Sequence, residues 1–237
     1  MDNHWLASLN AEDQERIAPH LHDTGFNRGQ TLYDAGEAVG EIWFPSSGVV
    51  SLMTLIDGDR MVETAAIGRE GLVGVTCGPM NARAISRAIA QTDGAAVCLP
   101  MEKFSEVLEA SESARGALAR YTEALFAQVQ QTAACNARHR LEERLARWLL
   151  MFHDRADSDC FELTQAGIAD MLGVRRATVS EVSAELERKG LIRRRRGRIE
   201  VLDRKALRAA ACDCYDTIRQ VMDGLDIEPT PGRAARA

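Results

Sequence analysis

No stretch of this 237-residue chain approaches the run of about 18 apolar residues that a membrane-spanning helix needs. The opening MDNHWLASLN also has neither the basic start nor the apolar core of a signal peptide, so the expectation is a cytoplasmic protein with no membrane partner. Catalytic signatures are missing too. There is no nucleophile elbow, Walker loop, HExxH or pair of carboxylates on a common face, which argues against an enzyme. Nor is there a disulfide framework: Cys77, Cys98, Cys135, Cys160, Cys212 and Cys214 are scattered, and in a reducing compartment they read as free thiols. Cys212-x-Cys214 is the one close pair. It reads as thiols on a terminal helix, with metal binding or redox sensing as the alternative. His20 and His22 have no second ligand pair nearby, so no metal and no cofactor are expected.

What is present is concentrated near the C-terminus. LTQAGIADMLGVRRATVSEVSAELERKGLI, Leu163 to Ile192, has the pattern of two short helices crossing at a steep angle. Ile168, Ala169 and Leu172 form the buried side of the first; Val179, Val182 and Leu186 form that of the second. Gly173 supplies a turn with positive φ, Thr164 stands at the N-cap, and Gly190 follows Arg188 and Lys189 as a stop. LIRRRRGRIEVL then reads as a hairpin wing around an Arg196-Gly197 turn.

The charge distribution says what this unit is for. Between Arg188 and Arg208 ten basic residues face two acidic ones, whereas the whole chain carries a net charge of −6. Four consecutive arginines repel one another unless a polyanion is near, and DNA phosphate fits that role. In a helix-turn-helix the N-terminal residues of the second helix enter the major groove, where Arg bonds guanine bidentately. The candidate DNA-binding set is therefore Thr164, Gln165, Arg175, Arg176, Ala177, Thr178, Ser180, Glu181, Arg193, Arg194, Arg195, Arg196 and Arg198, with Arg176 foremost for base readout.

Upstream the texture differs. From Gly25 to Pro100, segments such as EIWFPSSGVVSLMTLI, MVETAAI and AAVCL alternate with glycine-bearing breaks, which predicts a β-barrel or jelly roll with a hairpin tip at Gly58. A short amphipathic helix capped by Asn10 precedes it. After Pro100 the chain turns helical: MEKFSEVLEA is short, and the segment from Ser111 to Arg140 is long. On the long helix Leu118, Tyr121, Leu125, Gln128, Thr132 and Cys135 recur at intervals of three and four, a coiled-coil seam taken as the dimer interface. Phe126, Val129 and Ala133 form a second stripe, and LEERLARWLLMF makes a further helix joining the seam to the reader. The expected division is residues 1–110 for a β-roll sensor, 111–138 for a dimerisation helix and 139–237 for a winged helix-turn-helix, an α+β fold.

These segments together resemble the Crp/Fnr family of bacterial transcription regulators. RGQTLYDAGEAVGEIWFPSSGVV is similar to the family's opening strands, and GVRRATVSEVSAELERKGLI to its recognition-helix motif, with Arg176 where the family has a guanine-reading Arg and Ala177 where many members have Glu. The resemblance implies a double-stranded β-helix (jelly-roll, cyclic-nucleotide-binding-like) sensor, a homodimer through the long helix, and DNA heads that reorient with a ligand. It further implies a pseudo-palindromic double-stranded DNA operator, RNA polymerase as a partner, and a small-molecule effector whose identity is open.

The nucleotide cassette departs from the family pattern. Cyclic-nucleotide binders share a Gly-Glu-Leu-Gly segment followed by Arg-Ser or Arg-Thr, whereas GREGLVGV here has Val75 in place of the ribose-binding acid. Gly71, Gly74, Val75, Arg83 and Ala84 thus form a degenerate ligand pocket in which cAMP is not expected. No cysteine precedes Cys77, so the N-terminal cluster of the iron–sulfur members is missing, and nothing singles out a haem ligand. The alternative function is a small-ligand signalling module acting through protein contacts, which would not need Arg193 to Arg196 beside Arg176.

Overall fold

The computed structural model describes residues 2–57, 60–75, 83–156 and 158–224. The Gly58 hairpin tip, Cys77, Gly78 and the Pro79-Met80-Asn81 segment lie outside the described residues. Helices α1 (His4–Ala7) and α2 (Ala11–Ile17) open the chain, and the Asn10 side chain accepts from the Asp13 N–H at 2.8 Å, capping α2 as expected.

Seven strands follow: β1 (His22–Phe26), β2 (Thr31–Tyr33), β3 (Glu41–Pro45), β4 (Val50–Asp57), β5 (Arg60–Ile67), β6 (Arg87–Ala90) and β7 (Gly94–Pro100). They pair antiparallel in two sheets, β1-β7-β3 and β2-β6-β4-β5. Strands adjacent in a sheet are mostly not consecutive in sequence, so the chain passes back and forth between the sheets and closes a roll. Phe26, Ile42, Phe44, Leu52, Ile67 and Leu99 fill its interior.

Helices α3 (Met101–Ala110), α4 (Glu112–Arg138) and α5 (Leu141–His153) leave the roll. The stripe of α4 expected to face a twin instead packs inside the chain, which corrects the seam read from the sequence. Tyr121 Oη donates to Leu72 O at 2.9 Å, and the Gln128 amide donates to Ala66 O at 3.2 Å. Leu125 and Thr132 are buried, Cys135 sits against Cys212, and Leu118 is half-buried on the roll's core. The reason is chemical: the end of β5 and the link after it offer an apolar face with open carbonyls. A stripe mixing apolar residues with Tyr121 and Gln128 satisfies both. Outward on another side of α4 lie Ala119, Thr122, Phe126, Ala133 and Ala137, which together with half-buried Val129 are again spaced by threes and fours; Phe126 is 60% exposed.

The head comprises β8 (Cys160–Phe161), α6 (Gln165–Leu172), α7 (Arg176–Arg188), β9 (Ile192–Arg195), β10 (Arg198–Val201), α8 (Arg204–Ala210) and α9 (Cys214–Asp223). Its wing has a third strand, in the order β8-β10-β9. From Arg144 to Phe152 α5 is buried on every side, because one side meets Val49 and Ala66 of the roll while the other meets the head. Among the described residues no helix is long and apolar enough to cross a membrane.

Candidate nucleic-acid interface

The sequence builds the reading pair locally. Thr164 Oγ1 accepts from the Gly167 N–H at 3.0 Å and starts α6. Gly173 ends it with φ 64°, a conformation costly for any residue with a Cβ. From α5, buried Arg144 donates to Leu172 O at 2.6 Å, placing a cation on the carbonyl end of α6. Ile168, Ala169, Leu172, Val179 and Leu186 are buried as the pattern required, while Val182 is only half-buried and Ser183 takes the innermost place beside it.

The first turn of α7 carries its chemistry outward. Arg175, Arg176, Ala177, Thr178 and Glu181 are all exposed, and among the described residues neither arginine has a carboxylate partner. Ser180 is different: its hydroxyl bonds Gln165 Oε1, so these two side chains lock α6 to α7.

The wing corrects the picture of four arginines awaiting phosphate. Arg194 donates from its backbone and its Nε to Glu187 at 2.7 and 2.8 Å and from Nη1 to Ser180 O at 3.1 Å, so it ties the wing to α7. Those bonds, the backbone one first, hold the Glu187 carboxyl below its ordinary range. Arg193 pairs with Glu200 at 3.0 Å, and Arg198 with Glu162 at 2.6 Å; Glu162 also receives Arg28 from the roll at 3.2 Å. Self-repulsion is thus relieved by acids of neighbouring strands and helices. Arg195 and Arg196, at the turn where Gly197 has φ 71°, stay exposed without an acidic partner among the described residues.

The head is held on the roll by polar pairs in addition to the apolar packing of α5 on Val49 and Ala66. Trp148 Nε1 donates to Glu63 Oε1 at 2.7 Å, and Ser51 Oγ donates to the other oxygen of that carboxylate. Burial pushes the Glu63 carboxyl above its ordinary range, although both donors pull the other way. Arg155 Nε bonds Glu70 at 2.7 Å. Gly173 approaches Val62 so closely that a Cβ there would stand 2.7 Å from a Val62 methyl, which seats the turn of the reading pair on β5.

The sensor positions named from the sequence come together only in part. A Cβ on Gly71 would meet the Tyr121 ring at 2.4 Å, so α4 occupies the space beside it. Gly74 has φ 115° against Ile42, and Val75 lies half-buried on the core. Arg83 donates to Gly36 O at 2.8 Å, and Ala84 is buried with its N–H bonded to Glu37 O.

A grouping that the sequence analysis did not assemble lies at the base of the head. Cys135 Sγ is 3.5 Å from Cys212 Sγ, Cys214 Sγ is 3.4 Å from His139 Nδ1, and all four ligand atoms lie within 4.8 Å of one another. The reading of the thiols as scattered is corrected to this extent: the fold gathers Cys135, Cys212 and Cys214 beside His139. The Cys135 thiol is drawn down, first by its bond to Cys212, while Cys212 is pushed up, as expected when two sulfurs share a proton. The i, i+4 spacing of Cys135 and His139 was the available signal, masked because Cys135 also fits the apolar stripe.

Comparison with known proteins agrees with this geometry. The cyclic nucleotide-binding domain family matches residues 24–111, and the Crp-like helix-turn-helix domain family matches residues 143–210. A CRP-family transcriptional regulator from Thermus thermophilus is similar over 79% of this chain and 96% of its own, with TM-score 0.67 and 25% identity. A protein from Eubacterium rectale described as a transcriptional regulator of the crp/fnr family covers 86% of this chain and 95% of its own (TM-score 0.70, 18% identity). FixK2 from Bradyrhizobium japonicum covers 81% and 98% (TM-score 0.69, 18% identity). No curated protein sequence matches the chain. Two domains in this order, joined by one long helix, define a DNA-binding transcription regulator and not an enzyme. The chain belongs to the Crp/Fnr family.

Proposed function

We propose that the protein acts in the cytoplasm as a homodimer that reads a pseudo-palindromic operator with α7 and places the Arg195–Arg196 wing turn on phosphate. The observation carrying this reading is the first turn of α7, where Arg175 and Arg176 are exposed and unpaired by acid, as are Arg195 and Arg196 at the wing turn, while Arg193, Arg194 and Arg198 are neutralised. Cations left free at the start of α7 and at the wing turn, beside paired neighbours, are the footprint of an external anion. Arg176 reads guanine, Ala177 and the Thr178 methyl meet thymine methyls, and Glu181 accepts from cytosine. Thr164 and Gln165 flank the groove at the start of α6, and Arg193 and Arg198 lend the wing positive potential despite their pairing. Two heads on half-sites about 34–36 Å apart require a twin, and the outward α4 stripe around Phe126 is the face we assign to it. The division into sensor (1–110), helix (111–138) and head (139–237) follows from these roles, with RNA polymerase as the downstream partner.

The sensor does not take cAMP or cGMP on this reading. Val75 supplies no carboxylate, the Tyr121 ring fills the space beside Gly71, and Glu63 and Glu70 are engaged by Trp148 and Arg155. The effector is then a different small molecule, or control lies in protein level. Genome-wide mapping of bound DNA tests the first half: enrichment of one inverted-repeat motif is expected, and uniform occupancy overturns it. Calorimetry on nucleotide-free protein tests the second. Micromolar cAMP binding coupled to tighter operator binding overturns it.

A further inference from the structure

We propose that Cys135, His139, Cys212 and Cys214 form a site for a single tetrahedral metal ion of the Zn²⁺ class, which clamps the base of the DNA head to the end of α4. The donor chemistry is three sulfurs and one imidazole, a set used by structural zinc sites. The spacing selects the kind of centre. With Zn–S near 2.3 Å and Zn–N near 2.0 Å, a tetrahedron has edges of about 3.8 Å between sulfurs and about 3.5 Å between sulfur and nitrogen. The observed 3.5 Å for Cys135–Cys212 and 3.4 Å for Cys214–His139 match those edges, and no pair of ligand atoms exceeds 4.8 Å. An iron–sulfur cluster spreads its four ligands over two or more irons and so needs some ligand pairs well beyond 4.8 Å.

Independent observations point to a charged occupant. Arg147 is 2% exposed and Arg144 is 8% exposed, and among the described residues neither has a carboxylate partner. The contacts of Arg147 include the Met151 sulfur, and the Nε atoms of both arginines have no hydrogen-bond partner. Buried cations without an ion pair are costly, and here only the carbonyl end of α6 at Arg144 and the field of Glu63 at Arg147 offset them. Three thiolates around a divalent ion carry a net charge of −1, which supplies the missing counter-charge next to them; their fields already reach the thiols. Ion uptake displaces the thiol protons to solvent, so no redox step is involved. Gln131 Nε2 donates to Cys214 Sγ at 2.9 Å, the kind of outer contact that orients a ligand sulfur.

The placement gives the site a role. Cys135 and His139 end α4, whereas Cys212 and Cys214 join α8 to α9; α5, α6, α7 and the wing all lie between them in sequence. An ion there closes one loop around the entire DNA-reading unit and fixes where it leaves the long helix. The site stands apart from the DNA-reading assignment, and its test does not use DNA.

The experiment uses the full chain, purified under reductant, stripped with a chelator and titrated with Co²⁺ and then Zn²⁺. One Co²⁺ per protomer with the intense visible bands of tetrahedral thiolate coordination is expected, displaced stoichiometrically by Zn²⁺. Gln131→Leu should weaken binding about 10–100-fold, and Cys212→Ser, Cys214→Ser and His139→Gln by more than that. Cys160→Ser, at an exposed thiol outside the cluster, should bind as the wild type does. Weak octahedral Co²⁺, a Cys212→Ser variant binding like the wild type, or anaerobic reconstitution yielding iron with acid-labile sulfide overturns the proposal. If the cysteine variants fail to fold, the wild-type titration with the half-buried His139→Gln variant decides: stoichiometric tetrahedral binding lost in that variant upholds it, and unchanged binding sinks it.

Discussion

Replacing Phe126 by aspartate tests the assignment of the two faces of α4. The ring belongs to a residue type that buries about 150–250 Å² when covered, and at 60% exposure about 120 Å² of it stays open in one chain. Covering that area against a twin contributes about 3 kcal/mol per protomer, hence about 6 kcal/mol per dimer as an upper bound. Phe126→Asp removes this term and sets two carboxylates facing each other across the axis. The dimer dissociation constant should rise at least about 10³-fold, measured by sedimentation equilibrium, with operator affinity falling alongside. Leu125→Ala, one residue away and 4% exposed, should leave that constant unchanged and instead cost about 2–5 kcal/mol in urea unfolding. An undiminished dimer in Phe126→Asp, or dimers split by Leu125→Ala without loss of fold stability, would refute the reasoning.

Arg176→Ala should cost about 1–3 kcal/mol on the selected operator and relax preference at one base pair per half-site, read by binding to a panel of single-base variants; unchanged preference removes Arg176 from readout. Arg195→Ala and Arg196→Ala should weaken binding to all sequences and lower the salt slope by about 1 each, whereas Arg194→Ala should instead lower the melting temperature of the free protein, because its bonds to Glu187 and Ser180 are lost. Gly173→Ala should cost about 1–2 kcal/mol from its positive φ alone, with more from the clash with Val62, and faster proteolysis of the head is the readout. Glu63, raised above its ordinary 4.5 by burial, binds more protons folded than unfolded. Its contribution to stability is therefore full below 4.5 and lost as pH rises through the raised value; Glu63→Gln should flatten unfolding free energy against pH in that window, and a slope identical to wild type would clear Glu63 of the role.

The parts of the molecule written in local pattern were legible in the sequence. Caps at Asn10 and Thr164, the positive-φ turn at Gly173 and the buried side of α6 each depend on residues within one or two turns. Strands β3, β4, β5 and β7 announce themselves by segments rich in apolar residues, but β1 reads HDTGF and gains its place only by pairing with β7. The partner of a stripe is a different kind of fact. Spacing at threes and fours identifies a buried side of α4 without saying whether Leu72 and Ala66 or a second helix covers it, and hydrogen-bonding Tyr121 and Gln128 were the clue favouring the roll. Charge runs hide pairing in the same way, since Glu162 and Glu187 reach Arg198 and Arg194 from elsewhere in the head. Four metal-ligand atoms separated by up to 79 residues cannot be assembled without the fold.

The boundary between the roll and the head mixes polar pairs with apolar packing. If it were a broad apolar seam, its burial would hold one arrangement against any modest ligand, since each 100 Å² covered contributes about 2.5 kcal/mol. Here the contacts that span it combine the polar pairs of Trp148 with Glu63, Arg155 with Glu70 and Arg28 with Glu162 with the apolar packing of α5 on Val49 and Ala66 and of Gly173 on Val62. Such polar pairs define a position sharply while adding little net stability, because desolvation offsets most of their attraction. A ligand shifts such a boundary only by its differential affinity for two arrangements, typically a few kcal/mol. Glu63 and Glu70 stand on and just after β5, the strand that also receives the Gly173 turn through Val62. Both carboxylates and the turn preceding Arg175 and Arg176 therefore rest on one stretch of the roll, β5 and the residues just after it, so the position of the reading helix relative to the roll is fixed mainly there.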